Sequence, residues 1–319
     1  MRNYSRTPFV HKMETDVQSL DPRNRDILVS INGKLVPRAE ARISVFDSVV
    51  QGGDAVWEGL RVYRGRIAAF AAHLQRLQNS AKALAFASIP SSDEIRKVVF
   101  ATLEANGMTD QTHIRLTLSR GEKITSGMNP RLNQSGCTLI VLAEWKPPVY
   151  ADSGIEVITS SIRRNTTQCL DSKIHHNNLL NNILAAIEAN VAGVASAVML
   201  DINGFISETN DTNIFLVRDG KLLTPLADSC LPGLTRQMVL DIALEHHVIA
   251  IEKNLSLTEL YTADEAFTSG TMGELTPVLK ADGRVIGSGR RGPVTERFQE
   301  LHRQHAYQHG EALPFWSNQ

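Results

Sequence analysis

Four short turns, Asn32–Gly33, Asn203–Gly204, Asp219–Gly220 and Asp282–Gly283, constrain the fold of this chain more than any other sequence feature. Asn–Gly and Asp–Gly pairs tolerate the left-handed backbone that tight hairpin turns require. ILVSINGKLVP surrounds the first turn with apolar and β-branched residues and reads as two short strands. Asn203–Gly204 and Asp219–Gly220 predict two further hairpins. Antiparallel sheet is therefore expected in both halves of the molecule.

Helices interrupt these strands. His73 to Phe86 places Leu74, Leu77, Ala81, Leu84 and Ala85 on one face. A capping box at Ser91 and Glu94 opens a second helix through Ile95, Val98, Val99 and Leu103, which Gly107 ends. HIRLTLSRG and CTLIVLAEW return as strands, and KPPVYADSG reads as a linker. Beyond it come the strand IEVITSS and a helix over Asn178–Val191, whose apolar positions 180, 183, 184, 187 and 191 have the period of a buried face. A further helix begins near Leu234 with Met238, Val239, Ile242 and Ala243, and a polar one begins near Pro293. The expected organisation is a polar arm over residues 1–25, a small α/β domain over 26–146, a linker over 147–154 and a larger domain over 155–319. The fold class is α+β, with mixed sheet and interspersed helices.

Composition narrows the function. At 319 residues, 42% hydrophobic and 21% charged, the chain can bury a sizeable core and shape a closed pocket. Its 33 basic and 34 acidic residues leave no excess for a polyanion, so no nucleic-acid partner is expected. The pair Arg163 and Arg164 is too short to act as such a footprint. Three cysteines without CxxC spacing argue against a disulfide framework or a structural zinc. With no apolar leader and no run of about 18 apolar residues, a soluble cytoplasmic protein is expected and no membrane partner.

Three segments could carry chemistry. Lys173 lies in LDSKIHHNNLLNN, just before a helix and among residues that need polar partners if buried. A lysine forms a Schiff base only when partly deprotonated, which burial or nearby positive charge promotes. On this segment alone a solvated loop lysine is the plainer reading. Glu208, in DINGFISETNDTNIF, ends a strand after a turn; it could serve as an acid beside a pyridine nitrogen or simply be an exposed strand-end residue. In CLPGLTRQMVLDIAL a helix opens at Leu234 and Thr235 with free N–H groups, which suits a phosphate as well as ordinary capping by Thr235. TSGTMGELTP offers a second small-residue turn at Gly270, Thr271 and Gly273, and Arg76 could supply a cation or sit in solvent. The sequence contains no GxSxG, HExxH, Walker A or GxGxxG pattern, and adjacent His175 and His176 are not spaced for a shared metal.

In order along the chain, SVFDSVVQGGDAVWEGLRVY, HLQRL, IRLTLSRGEKITSGMNP, LDSKIHHNN, GFISETNDTNIF, LPGLTR, ADEAFTSGTMGELTPV and DGRVIGSGRRGPVTERF resemble the class IV, fold-type IV aminotransferases that depend on pyridoxal 5'-phosphate (PLP), within them the branched-chain-like group. The resemblance runs from about Ile31 to about Phe298. It implies a small α/β domain followed by a larger mixed-sheet pseudo-barrel. It also implies that Lys173 holds PLP as a Schiff base and moves the α-proton, and that Glu208 meets the pyridine nitrogen. Arg76, Leu234, Thr235 and Thr271 then form a phosphate cup. The amides of Thr271 and Met272 face the substrate carboxylate, Trp57 walls the pocket, and Arg115 stands at the substrate-carboxylate side.

Three family tyrosines are replaced, by Gly52, His113 and Asn178; the last still carries an amide able to donate to the cofactor's phenolic oxygen. An Arg–X–His carboxylate trap of the D-amino-acid type is not evident after Arg120. The expected reaction is transamination between an amino acid, branched-chain-like and of the L series, and a 2-oxo acid, in a homodimer. The alternatives are a D-amino-acid transaminase or a lyase like 4-amino-4-deoxychorismate lyase; the GMNP segment and Arg115 favour the transaminase over the lyase. Lys173 and Glu208 argue against a non-enzymatic relative.

Overall fold

The computed structural model describes residues 20–150 and 152–316. Most of the expected arm, residues 1–19, lies outside the described residues, but Pro22–Asp26 forms a 3-10 helix capped by Asp21. Asn24 is buried there, bonded to both backbone polar groups of Trp145.

The first half contains strands β1 (Leu28–Ile31), β2 (Lys34–Pro37), β3 (Ala55–Tyr63), β4 (Arg66–Ile67), β5 (Thr112–Ser119) and β6 (Thr138–Trp145). Helices α1 (Ser48–Gly52), α2 (Phe70–Ala83) and α3 (Ser92–Ala105) join them. The Asn32–Gly33 turn has the expected positive φ at both residues, 52° and 79°. The Ser91–Glu94 capping box is present. Leu74, Leu77, Ala81, Ile95, Val99 and Leu103 are buried against the sheet, whereas Leu84 and Ala85 fall beyond the end of α2.

The second half holds β7 (Ile155–Thr159), α4 (Leu180–Ala192), β8 (Ser196–Leu200), β9 (Ile206–Thr209), β10 (Asn213–Arg218), β11 (Lys221–Thr224), α5 (Leu234–Glu245), β12 (Ala250–Glu252), α6 (Leu257–Tyr261), β13 (Glu265–Gly270), β14 (Glu274–Ala281), β15 (Arg284–Val285) and α7 (Pro293–His309). The sheet is mixed: β7 runs parallel to β8 and β14, and most other pairs are antiparallel. In hydrogen-bonded order β9 stands at one edge and β10 deep in the other half, yet only Asn210–Thr212 separates them in sequence. Such a short link forces the sheet to curl until β9 lies against β10. Asn203–Gly204 sits in a five-residue loop in which only Gly204 has positive φ; the Asp201 carboxylate accepts the loop's N–H groups. Strand β16 (Glu311–Ala312), grouped by sequence with the second half, returns to pair with β4, and Leu313 enters the first core.

One expectation is overturned. The apolar stripe of α4 is not a buried face: Leu180 is 65% exposed and Val191 83%, with Ile183, Leu184 and Ile187 also exposed. Ala185 and Ala189 make the inward face instead, against Ala197 and Met199. Small residues let the helix approach β8 closely and leave the larger side chains on the opposite side. No helix among the described residues is long and apolar enough to cross a membrane.

Candidate active site

Strand alternation sets the chamber's first wall. Successive side chains of a strand point to opposite faces. On β3, Val56, Glu58 and Leu60 turn toward α2, while Trp57, Gly59 and Arg61 turn away from it. β5 pairs in register, Gly59 opposite Arg115 and Arg61 opposite His113, so these side chains share the outward face. That face and the curled sheet enclose two adjoining cavities of about 290 and 250 Å³. Both are lined by Trp57, Arg115, His175, Glu208, Asp211 and Leu231.

The second cavity has the properties of an anion cup. Pro232 and Gly233 lead into α5, with Gly233 rather than Thr235 as the N-cap and no side chain satisfying the first N–H groups. Those groups and the helix dipole favour a phosphate. The backbones here are close: a Cβ on Gly233 would fall 2.0 Å from Asn213 Oδ1, and one on Gly270 would fall 2.7 Å from Thr212 Cγ2. Thr235, Thr271 and Met272 line the same cavity together with Arg76. Arg76 is held by the buried Glu58 through Nε and Nη2 bonds of 2.8 and 2.6 Å. His73 Nδ1 lies 2.7 Å from the same carboxylate and His175 Nδ1 3.2 Å from it. Burial pushes the Glu58 carboxyl up, but His175 and the Arg76 fork together outweigh it and hold it well below the usual range. Burial pushes the His175 imidazole down to about 4.

Glu208 stands where the two cavities join. Arg164 Nε donates to it at 2.6 Å, Asn213 Nδ2 at 3.2 Å and the Leu231 N–H at 3.3 Å. Burial pushes its carboxyl up, against the pull of Arg164.

Lys173 sits at the rim. Its side chain is 42% exposed, and Nζ donates to the Asp228 carbonyl at 3.2 Å. Lys173 lines neither cavity, although Ser172 and Ile174 on either side line the first. The segment after it is pinned to β3 by three bonds: Trp57 N to His175 O, Asn177 N to Ala55 O, and Trp57 Nε1 to His176 O.

At the remaining wall the Arg115 guanidinium lies 3.4 Å from the Trp57 ring centroid, and its Nη2 donates to Asn177 Oδ1 at 2.7 Å. Burial pushes Arg115 down to about 10 and His113 to about 3. His113 Nε2 is buried without a hydrogen-bond partner and its residue lines the second cavity. Asn178 is not brought in. It is exposed, lies against Gly53 and lines neither cavity.

The chamber thus gathers Arg76, Glu208, Leu234, Thr235, Thr271, Met272, Trp57, His113 and Arg115, with Lys173 at its edge and Asn178 outside. Sequence reasoning missed the roles of Arg164, Glu58 and Asn213. Glu58 had a signal, a lone acid within the apolar strand AVWEGLRVY; Arg164 had none, because its partner is 44 residues away.

An α+β chain with two sheets and this chamber belongs to the amino-transferase class IV family, whose pattern matches residues 55–281. The chain is similar to branched-chain-amino-acid aminotransferase-like protein 2 of Arabidopsis thaliana, with 56% identity over 92% of this chain and 53% of the relative. It therefore spans about half the length of the first such curated relatives. A putative branched-chain-amino-acid aminotransferase of Methanocaldococcus jannaschii is 39% identical over 85% of this chain and 94% of its own length. Among solved structures, the branched-chain amino acid aminotransferase of Escherichia coli superposes with a TM-score of 0.84 at 31% identity, covering 92% of this chain and 99% of that one. A thermophile's branched-chain amino acid aminotransferase, complexed with N-(5'-phosphopyridoxyl)-L-glutamate, gives 0.82 at 33% identity and covers 87% of this chain and 93% of that one.

Proposed function

We propose that this chain is a PLP-dependent aminotransferase that moves an amino group between a branched-chain-like L-amino acid and a 2-oxo acid. The observation that carries this reading is one chamber with a buried acid, Glu208, where its two cavities join, and an uncapped helix terminus beside Arg76 in the second. The group fits: a Cβ on Gly233 would close the cup, and Arg76 supplies the cation a buried phosphate needs. The relative complexed with a phosphopyridoxyl amino acid supports the same choice of cofactor.

When bound, PLP supplies an aldehyde that captures the amino group and a ring that stores the electron pair left by the α-proton. The amides of Leu234 and Thr235, with Arg76, hold the phosphate. Glu208 keeps a proton at the pyridine nitrogen, and Arg164 fixes its orientation. Lys173 is flanked by two chamber-lining residues and has a flexible four-carbon stem. Rotation of that stem away from Asp228 brings Nζ to the chamber, where it anchors the cofactor and then carries the α-proton. The Thr271 and Met272 amides orient the substrate carboxylate, and Trp57 and Met272 present apolar surface to its side chain. His113 and Arg115 supply donors at the polar wall.

The test is a spectrum of the purified protein with PLP, followed by single amino acids. A visible band near ~410–420 nm should appear and give way to one near ~330 nm with L-leucine or L-glutamate. Absence of any visible band would end this reading. A band that responds to D-alanine alone would move the enzyme to the D-specific group, and one that responds to no amino acid would favour a lyase.

The functional unit is inferred to be a homodimer. The stripe of α4 is exposed, the first half leaves Phe46 and Val50 exposed too, and Leu179 and Ile183 of the α4 region line the first cavity. An apolar helix face of this kind marks an association surface. Sedimentation should give twice the chain mass, and Leu184→Glu should yield a monomer; a wild-type monomer at micromolar concentration would refute the assignment.

A further inference from the structure

The half of the chamber away from the phosphate cup contains a group that the proposed reaction has not used. His176 is 4% exposed and lines the first cavity with Glu208 and Arg164. Neither of its ring nitrogens has a hydrogen-bond partner. A buried polar group without a partner is costly, so a persistent one points to a missing ligand. Its backbone is fixed by an isolated bridge to Val56 and by the Trp57 indole N–H donating to its carbonyl at 3.1 Å. The ring is therefore held at the cavity wall by the small-lobe strand.

PLP chemistry says what faces it. On the pyridine ring, the phosphate arm and the phenolic oxygen lie on opposite sides of the line from the ring nitrogen to the aldehyde-bearing carbon. With the nitrogen at Glu208 and the phosphate at Arg76 and Thr235, the phenolic oxygen faces the half lined by His176. That oxygen is anionic in the bound cofactor and needs a donor once out of water. Neighbouring donors are committed elsewhere: Ser172 Oγ to Asn165 O, Arg164 to Glu208 and Asn181, and Arg115 Nη2 to Asn177.

We propose that His176 is a positioning residue for the cofactor, donating a ring N–H to the phenolic oxygen of PLP. The proposal rests on the PLP reading above and replaces Asn178, which lies outside the chamber, in that role. Burial first, and then the charge of Arg164, push the His176 imidazole below 6.5, so at neutral pH it carries one N–H and one bare nitrogen. A donor at the phenolic oxygen draws that oxyanion away from the proton on the lysine-linked nitrogen. The proton then leaves at lower pH than it would without His176.

The experiment compares full-length wild type, His176→Ala, His176→Gln and Asn178→Ala, each loaded with PLP, by titrating the visible band against pH and measuring PLP dissociation. His176→Ala should raise the pH midpoint of the band by about one unit and weaken PLP about tenfold. His176→Gln, which keeps an N–H donor, should recover at least half of both effects. Should His176→Ala fail to fold, ring-¹⁵N-histidine spectra of the wild type carry the test: one His176 N–H resonance should shift on adding PLP, and no shift overturns the proposal. An unchanged midpoint in a folded His176→Ala overturns it too, as does an Asn178→Ala midpoint that moves by the unit expected of His176. A wild type without a visible band fails the PLP reading itself, whereas a normal band indifferent to residue 176 fails this proposal alone.

Discussion

Lys173→Ala is expected to lose the visible cofactor band and at least about 10⁴-fold in turnover, the scale on which removal of a covalent nucleophile acts. The same change should leave stability almost untouched. The Lys173 side chain is largely in solvent, with one bond to the Asp228 carbonyl and a 4.0 Å approach to Asp171. Substitutions at such sites stay within about 0.5 kcal/mol of wild type. A sharp melting transition at the wild-type temperature with no turnover therefore separates chemistry from folding. An alanine variant that kept turnover within tenfold would remove Lys173 from the mechanism.

Glu208→Ala should show the opposite combination, losing activity and stability together. Without the acid, the ring proton goes unsupported, and turnover should fall by about 10²–10⁴-fold, the usual contribution of a positioned acid or base. Arg164 would also be left as a buried unpaired cation. The two side chains are 6% and 7% exposed, and breaking such a pair by removing one partner costs about 3–5 kcal/mol. Two further variants divide the effects. Glu208→Gln keeps an oxygen for Asn213 and Leu231, so it should recover part of the stability but little of the rate. Replacing both partners by apolar residues, Arg164→Leu with Glu208→Leu, should restore more stability still and no activity, because neither desolvated charge remains. Melting curves and single-turnover rates check both. If Glu208→Ala kept wild-type turnover with PLP bound, the role assigned to this carboxylate would fall.

Much of the fold was legible because its signals act over a few residues. Asn32–Gly33, Asp219–Gly220 and Asp282–Gly283 turn the chain with positive φ at both positions. The capping box at Ser91 and Glu94 starts α3, and Pro232–Gly233 delivers α5 at Leu234. The site was legible differently: eight ordered segments matched a family pattern, and the chamber gathers almost all the residues they named.

The remainder depended on contacts between distant parts of the chain. An apolar stripe of helical period was plain on α4, but the period cannot say which side meets the protein; Ala185 and Ala189 took the inward face because only small side chains fit against β8. Glu58, Arg76 and His175 form one network from a strand, a helix and a loop. Which polar residue after Lys173 enters the chamber was likewise undecided until Trp57 and Val56 pinned that segment, leaving His176 inside and Asn178 out. The sequence by itself determined turns, helix starts and the chemical types available, since those are local energies. Only the tertiary structure decided which faces are buried and which charges pair, because both depend on desolvation by residues far away in the chain.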